Sequence, residues 1–107
     1  MVKKDDGVLK IYFAPGSAEV TPAADPALVE IVSAVKGGAR AKVSGYHDAS
    51  GGAAMNAELA KRRAMRVADM LKRAGAPEDS VILEKPQSTL ADGRPSEGRR
   101  VEVTLQN

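Results

Sequence analysis

"ARAKVSGYHDASGGAAMNAELAKRRAMRVADMLKRAGAPEDSVILEKP" (residues 39–86) is the stretch on which the fold turns. Its opening reads as a strand, with Val43 inward and Lys42 outward. "ASGGAA" (49–54) is a turn. From about residue 53 to 74 apolar residues recur at helical spacing, and the pattern stops at "AGAP", where Gly75 fits a helix C-cap and Pro77 blocks continuation. "SVILEKP" (80–86) then reads as another strand. Two strands of one sheet joined through a helix must run parallel, with a right-handed crossover.

Outward from that unit the pattern repeats in outline. "VLKIYFAPGS" (8–17) alternates Leu9, Ile11 and Phe13 with Lys10 and Tyr12, a strand ended by "PGS". "TPAADPALVEIVSAVKGG" (21–38) places Leu28, Ile31, Val32 and Val35 on one helical stripe. Its start is open between a cap at Thr21 and one at Asp25, and Gly37 with Gly38 supplies a left-handed stop. "QSTLADGRPSEG" (87–98) is a polar loop, and "RRVEVTLQ" (99–106) is a fourth strand with Val101, Val103 and Leu105 on one face. Residues 1–7, with Lys3–Lys4 and Asp5–Asp6, read as a frayed, solvated end. The expected class is α+β: a single domain over 1–107, strand–helix–strand–helix–strand–strand, a two-layer sandwich with both helices on one sheet face and water on the other.

A length of 107 residues suits one domain that folds without disulfides or metals. With 28% charged and 43% hydrophobic residues, the composition is that of an ordinary globular domain. A net charge of +2 and three aromatics (Tyr12, Phe13, Tyr46) exclude the basic, stacking surface of a nucleic-acid binder. No cysteine is present, which removes disulfide frameworks, zinc–thiolate sites and thiol chemistry. No stretch approaches the ~20 apolar residues of a membrane-spanning helix, and "MVKKDDGVLK" lacks the apolar segment of a secretory signal.

The second helix carries two anomalies. Drawn at ~100° per residue, its apolar arc of Ala60, Ala64, Val67, Ala68, Leu71 and their neighbours also takes in Asn56 and Arg63. Arg63 is either a snorkelling side chain with a packed stem, or a fork aimed at an anion in a cleft. Asn56 is either a first-turn residue bonded to a loop carbonyl, or part of that cleft. A buried guanidinium must be paired, and Asp48, at the end of the preceding strand, is the nearest carboxylate in the sequence.

The residues that carry these anomalies resemble a known family. Gly45, Asp48, Gly51, Asn56, Leu59, Arg63, Ala64, Val67, Leu71 and Gly75, followed by Arg99, Arg100, Val101 and Glu102, match in order the pattern of the OmpA-like peptidoglycan-binding domains over roughly residues 9–106. The resemblance implies a mixed four-stranded sheet of order 1-4-2-3, its last strand antiparallel to its neighbours. It implies non-covalent binding of the peptidoglycan stem peptide through diaminopimelate. Asp48 would accept from the ligand's ammonium, and Arg63 would grip its carboxylate with a two-pronged bond. Backbone N–H groups of the turn 49–52, including Ala49 and Gly51, would add anion binding. Asn56 would orient the turn or touch ligand, and Arg100 would either line the cleft or brace Asp48. The sequence departs from the family pattern at His47 (usually Thr), Ala60 (usually Ser), Gly98 (usually Asn) and in the loop before it. At the pocket, His47 would narrow the opening or add a pH-sensitive donor.

Other chemistry fits less well. His47 with Asp48 and Ser44 or Ser50 lacks the spacing of a nucleophile elbow. His47 with Asp48 is too small a set for a metal. No Gly-Lys-Ser/Thr follows either glycine cluster. The expectation is a non-enzymatic module without metal or cofactor, monomeric or weakly dimeric, that anchors a periplasmic, outer-membrane-associated protein to the cell wall. Export and membrane attachment would come from an upstream segment of a longer chain. The alternative is the same fold as a structural or protein-interaction domain that no longer binds peptidoglycan.

Overall fold

A computed structural model of the chain describes residues 2–5, 7–47, 53–84 and 98–106. The strand read at the start of the domain is β2 (Val8–Tyr12), preceded by a shorter β1 (Val2–Asp5). Helix α1 (Asp25–Lys36) leads into β3 (Arg40–Gly45), then α2 (Ala53–Arg73), β4 (Val81–Leu83) and β5 (Arg100–Gln106). Among the described residues the sheet has five strands in the order β1-β2-β5-β3-β4. The four expected strands therefore stand in the order 1-4-2-3. The segments β3 and β4, joined through α2, pair in parallel, and β5 is antiparallel to both β2 and β3.

The strand β1 departs from the expected frayed end. It pairs antiparallel with β2 from Val2↔Ile11 to Asp5↔Val8. Only two residues separate the last pair, and the second, Gly7, takes φ 77°. Asp-Gly between two strands is a strong hairpin signal, because such a turn needs a left-handed residue. Val2 also packs against the main core, so this end is tied down by ladder bonds and apolar contact together.

Of the two candidate caps, Thr21 stands at the start of a short 3-10 turn, Pro22–Ala24, whereas Asp25 is already helical and Ala24 takes the cap position of α1. Neither element has a side-chain cap bond. At the far end Gly38, at φ 114°, takes the left-handed position, whereas Gly37 does not.

The core lies between the helices and one face of the sheet. Leu28, Ile31, Val32 and Val35 from α1 meet Ala64, Val67, Ala68 and Leu71 from α2 over Leu9, Ile11, Val43, Val101 and Val103. Burying each large aliphatic side chain contributes about 1.5–3 kcal/mol, so the valines and leucines dominate, not the three aromatics. The alanines of α2 serve a different end. Ala60 and Ala64 let the helix close on β3, and at Gly45 the approach is tight: a Cβ there would run into the carbonyl oxygen of Ala60. That contact fixes the first half of α2 against the end of β3.

Candidate functional site

Arg63 is 2% exposed and is the one buried charged side chain among the described residues. Its Nε donates to the carbonyl of Ser17 at 2.8 Å and its Nη2 to that of Ala14 at 3.2 Å. Those carbonyls bound a tight turn, closed by the Ser17 N–H donating to Ala14 O at 3.1 Å. Pro15 and Gly16 occupy its centre, with Gly16 at φ 70°, which fits a type II turn. The ring of Phe13 lies 5.4 Å from the guanidinium carbon, within cation–π range. Arg63 is thus not a snorkelling residue. The Nε–Nη2 edge of its fork is occupied by main chain, much as a carboxylate would occupy it.

A second guanidinium stands close by. Arg99 Nε donates to the carbonyl of Phe13 at 3.0 Å, the residue before Ala14. The backbone returns the contact, with Phe13 N–H donating to Arg99 O at 2.8 Å. Burial, followed by the positive charges of Arg99 and Arg62, pulls the Arg63 pKa down from its ordinary value. Guanidinium is so strong a base that the group remains charged all the same.

Arg100 goes elsewhere. Val101 and Val103 face the core, so Arg100 and Glu102 project from the sheet face opposite the helices. There the guanidinium carbon of Arg100 sits 3.8 Å from the centre of the Tyr46 ring, and Arg100 Nε meets Glu102 Oε2 at 2.8 Å. Arg100 therefore does not share a cleft with Arg63, because strand alternation sends it to the other side. Burial, then the Glu102 carboxylate, raises the Tyr46 phenol above its ordinary pKa.

His47 stands just past β3, half-buried. It lines a groove of about 380 Å³ with Val43, Gly45, Ala60, Ala64 and Leu83, and neither Arg63 nor Asn56 lines that groove. Asn56 is half-buried on the first turns of α2. Asp48, Ala49 and Gly51 lie outside the described residues, and so does any bracing of Asp48 by Arg100. Of the candidates, the described structure fixes Arg63 most firmly. The turn at 14–17 and Arg99 were not singled out from the sequence as site residues. In the sequence "PGS" signals a turn that ends the strand, but nothing in it marks the carbonyls as partners of Arg63.

An open mixed sheet of order 1-4-2-3 in its four main strands, carrying two helices on one face, defines a two-layer α/β sandwich. The chain belongs to the OmpA family, whose model matches residues 12–101. No match was found among curated proteins. Among solved structures it is similar to the peptidoglycan-associated lipoprotein from Burkholderia pseudomallei, with 20% identity and a TM-score of 0.77 over 91% of this chain and 89% of that one. The OmpA-like domain of FopA1 from Francisella tularensis subsp. tularensis SCHU S4 shares 22% identity at a TM-score of 0.74, covering 98% and 80%. The periplasmic domain of Helicobacter pylori MotB shares 17% at 0.71, covering 99% and 80%. At these identities the likeness establishes the fold.

Proposed function

We propose that this domain binds peptidoglycan non-covalently, through the charged end of diaminopimelate in the stem peptide. In this reading it is a non-enzymatic anchor that holds an envelope protein to the cell wall in the periplasm. The observation that carries the reading is the burial and fixation of Arg63. A guanidinium 2% exposed and held along one edge by two carbonyls is preorganised, and in this reading its Nη1 edge meets the ligand's carboxylate at little entropic cost. Asp48, in this proposal, takes the ligand's ammonium, and the N–H groups of 49–52 and Asn56 complete the pocket. Family membership supports the reading, as does the likeness in fold to a peptidoglycan-associated lipoprotein.

The same bonds favour a second reading. An arginine engaged with a turn also has a structural purpose, and the domain could keep it for packing alone. Co-sedimentation with purified sacculi separates the two. The proposal expects the wild type to pellet with sacculi, and Asp48→Asn and Arg63→Lys to lose most of that binding while remaining folded. Losing one partner of such a charge pair costs about 2–5 kcal/mol, enough to remove weak binding. A folded wild type that stays in the supernatant rejects the proposal in favour of a structural or protein-interaction role.

A further inference from the structure

We infer that Arg99 is the second cation of the Arg63 site, and that it recognises the same ligand carboxylate. This inference rests on the proposed function and adds a specificity-determining residue to it.

Three observations lead there. First, Arg63 and Arg99 reach the carbonyls of consecutive residues, Ala14 and Phe13. The positive charge of Arg99 also acts on Arg63, so the two guanidiniums are neighbours although α2 and the approach to β5 bring them from different directions. Second, each is anchored to main chain through Nε. That fixes each group against the 13–17 loop, and in this inference the terminal amino edges are what the ligand carboxylate meets. Third, the two cations repel, and Arg63 is desolvated as well. Like charges brought together out of water are costly unless an anion joins them. Among the described residues neither is ion-paired to a carboxylate.

Strand alternation decides between the two members of the double arginine. Arg100 is committed to the far face, against Tyr46 and Glu102. Arg99, one residue earlier, turns toward the helix side and the 13–17 loop. A carboxylate held by two guanidiniums is discriminated from its neutral amide more sharply than one held by a single group, because the amide offers one acceptor oxygen in place of two and carries no charge.

The test compares two probes: a synthetic stem tripeptide carrying diaminopimelate, and the same peptide with the free-end carboxylate of that residue amidated. Affinities are measured by calorimetry for wild type, Arg99→Gln, Arg99→Lys, Arg63→Lys and Arg100→Gln. Arg99→Gln should weaken binding of the acid form about tenfold, in line with loss of one charge-assisted bond. It should leave the already weak binding of the amide unchanged. Arg99→Lys should recover part of the loss, and Arg100→Gln, on the far face, should not reproduce the loss of discrimination between acid and amide expected of Arg99→Gln. In wild type, the Arg99 and Arg63 Nε–H resonances should both move on adding the acid form, a readout that needs no substitution.

The inference is overturned if Arg99→Gln binds the acid form as wild type does, or weakens both probes by one factor. The second result would make Arg99 a brace for the turn only. It is also overturned if only Arg63 responds in the spectrum. Wild type that binds the acid form and loses it in Arg63→Lys, with Arg99 silent, sinks this inference and spares the proposed function. Wild type that binds neither probe sinks both.

Discussion

Arg63 and Ser17, 46 positions apart, are joined by a 2.8 Å bond from guanidinium Nε to main-chain carbonyl. With the companion bond to Ala14, this pins the loop after β2 to the middle of α2. Removing the side chain leaves the Ser17 carbonyl without that donor and opens a cavity over Phe13. Relief of repulsion with Arg99 offsets part of the loss, but the unmet carbonyl and the void outweigh it. Arg63→Ala should lower the unfolding free energy by about 2–4 kcal/mol. Arg63→Lys should cost less, since an ammonium keeps one of the two bonds. Urea titration measures both, and an alanine variant as stable as wild type would contradict the account.

Gly16 sits at φ 70° with open space around its α-carbon, so the cost of a side chain there is purely conformational. Gly16→Ala should destabilise the fold by about 1–2 kcal/mol. The turn exists to present the Ala14 and Ser17 carbonyls to Arg63. A double-mutant cycle of Gly16→Ala with Arg63→Lys should therefore be non-additive by at least about 0.5 kcal/mol. Strict additivity would mean the turn and the guanidinium are independent.

Gly45 presents the opposite case, an ordinary φ with no room. A methyl group there meets the Ala60 carbonyl oxygen and lies 3.0 Å from its carbon. Neither is the end of a flexible side chain, so β3 and α2 must separate. Gly45→Ala should cost about 3 kcal/mol by overpacking. Amide exchange should speed up first around residues 41–45 and 57–64, and unchanged protection there would refute the argument.

Tyr46 sets an alkaline limit. Its phenol stays protonated in the folded protein to a higher pH than in the unfolded chain, where it ionises near the ordinary ~10. The stability it contributes is complete below that value and is lost as pH climbs through the raised folded one. Between the two, unfolding free energy should fall with rising pH. The slope should flatten in Tyr46→Phe, along with loss of the late tyrosinate absorbance. A variant that follows the wild-type slope would assign the effect to another group.

Period-two and helical patterns made both helices, the four main strands and the parallel pairing around α2 legible in the sequence. They carry burial directly, and Val101, Val103, Val67 and Leu71 are fully buried where the patterns put them. The strand β1 escaped because it has little apolar periodicity. Its evidence was Asp-Gly turn chemistry at 6–7, outweighed by a run of charges. For the site, Arg63 was visible as a charge on an oily face, but its partners were not. They are carbonyl oxygens, which every residue has, so no residue type marks them. Arg100 was drawn to the site by its place in a motif. Alternation along β5 separates it from Arg99, a distinction that depends on where the strand begins.

That Arg63 is met by peptide oxygens has a further consequence for how this region tolerates change over time. Side chains at 14 and 17 can be exchanged widely without touching the latch, since neither contributes an atom to it. Loop length is another matter. One residue inserted or deleted between Phe13 and Ser17 moves both acceptors at once. Drift in residue identity with strict constancy of spacing is the signature this segment should leave in its descendants.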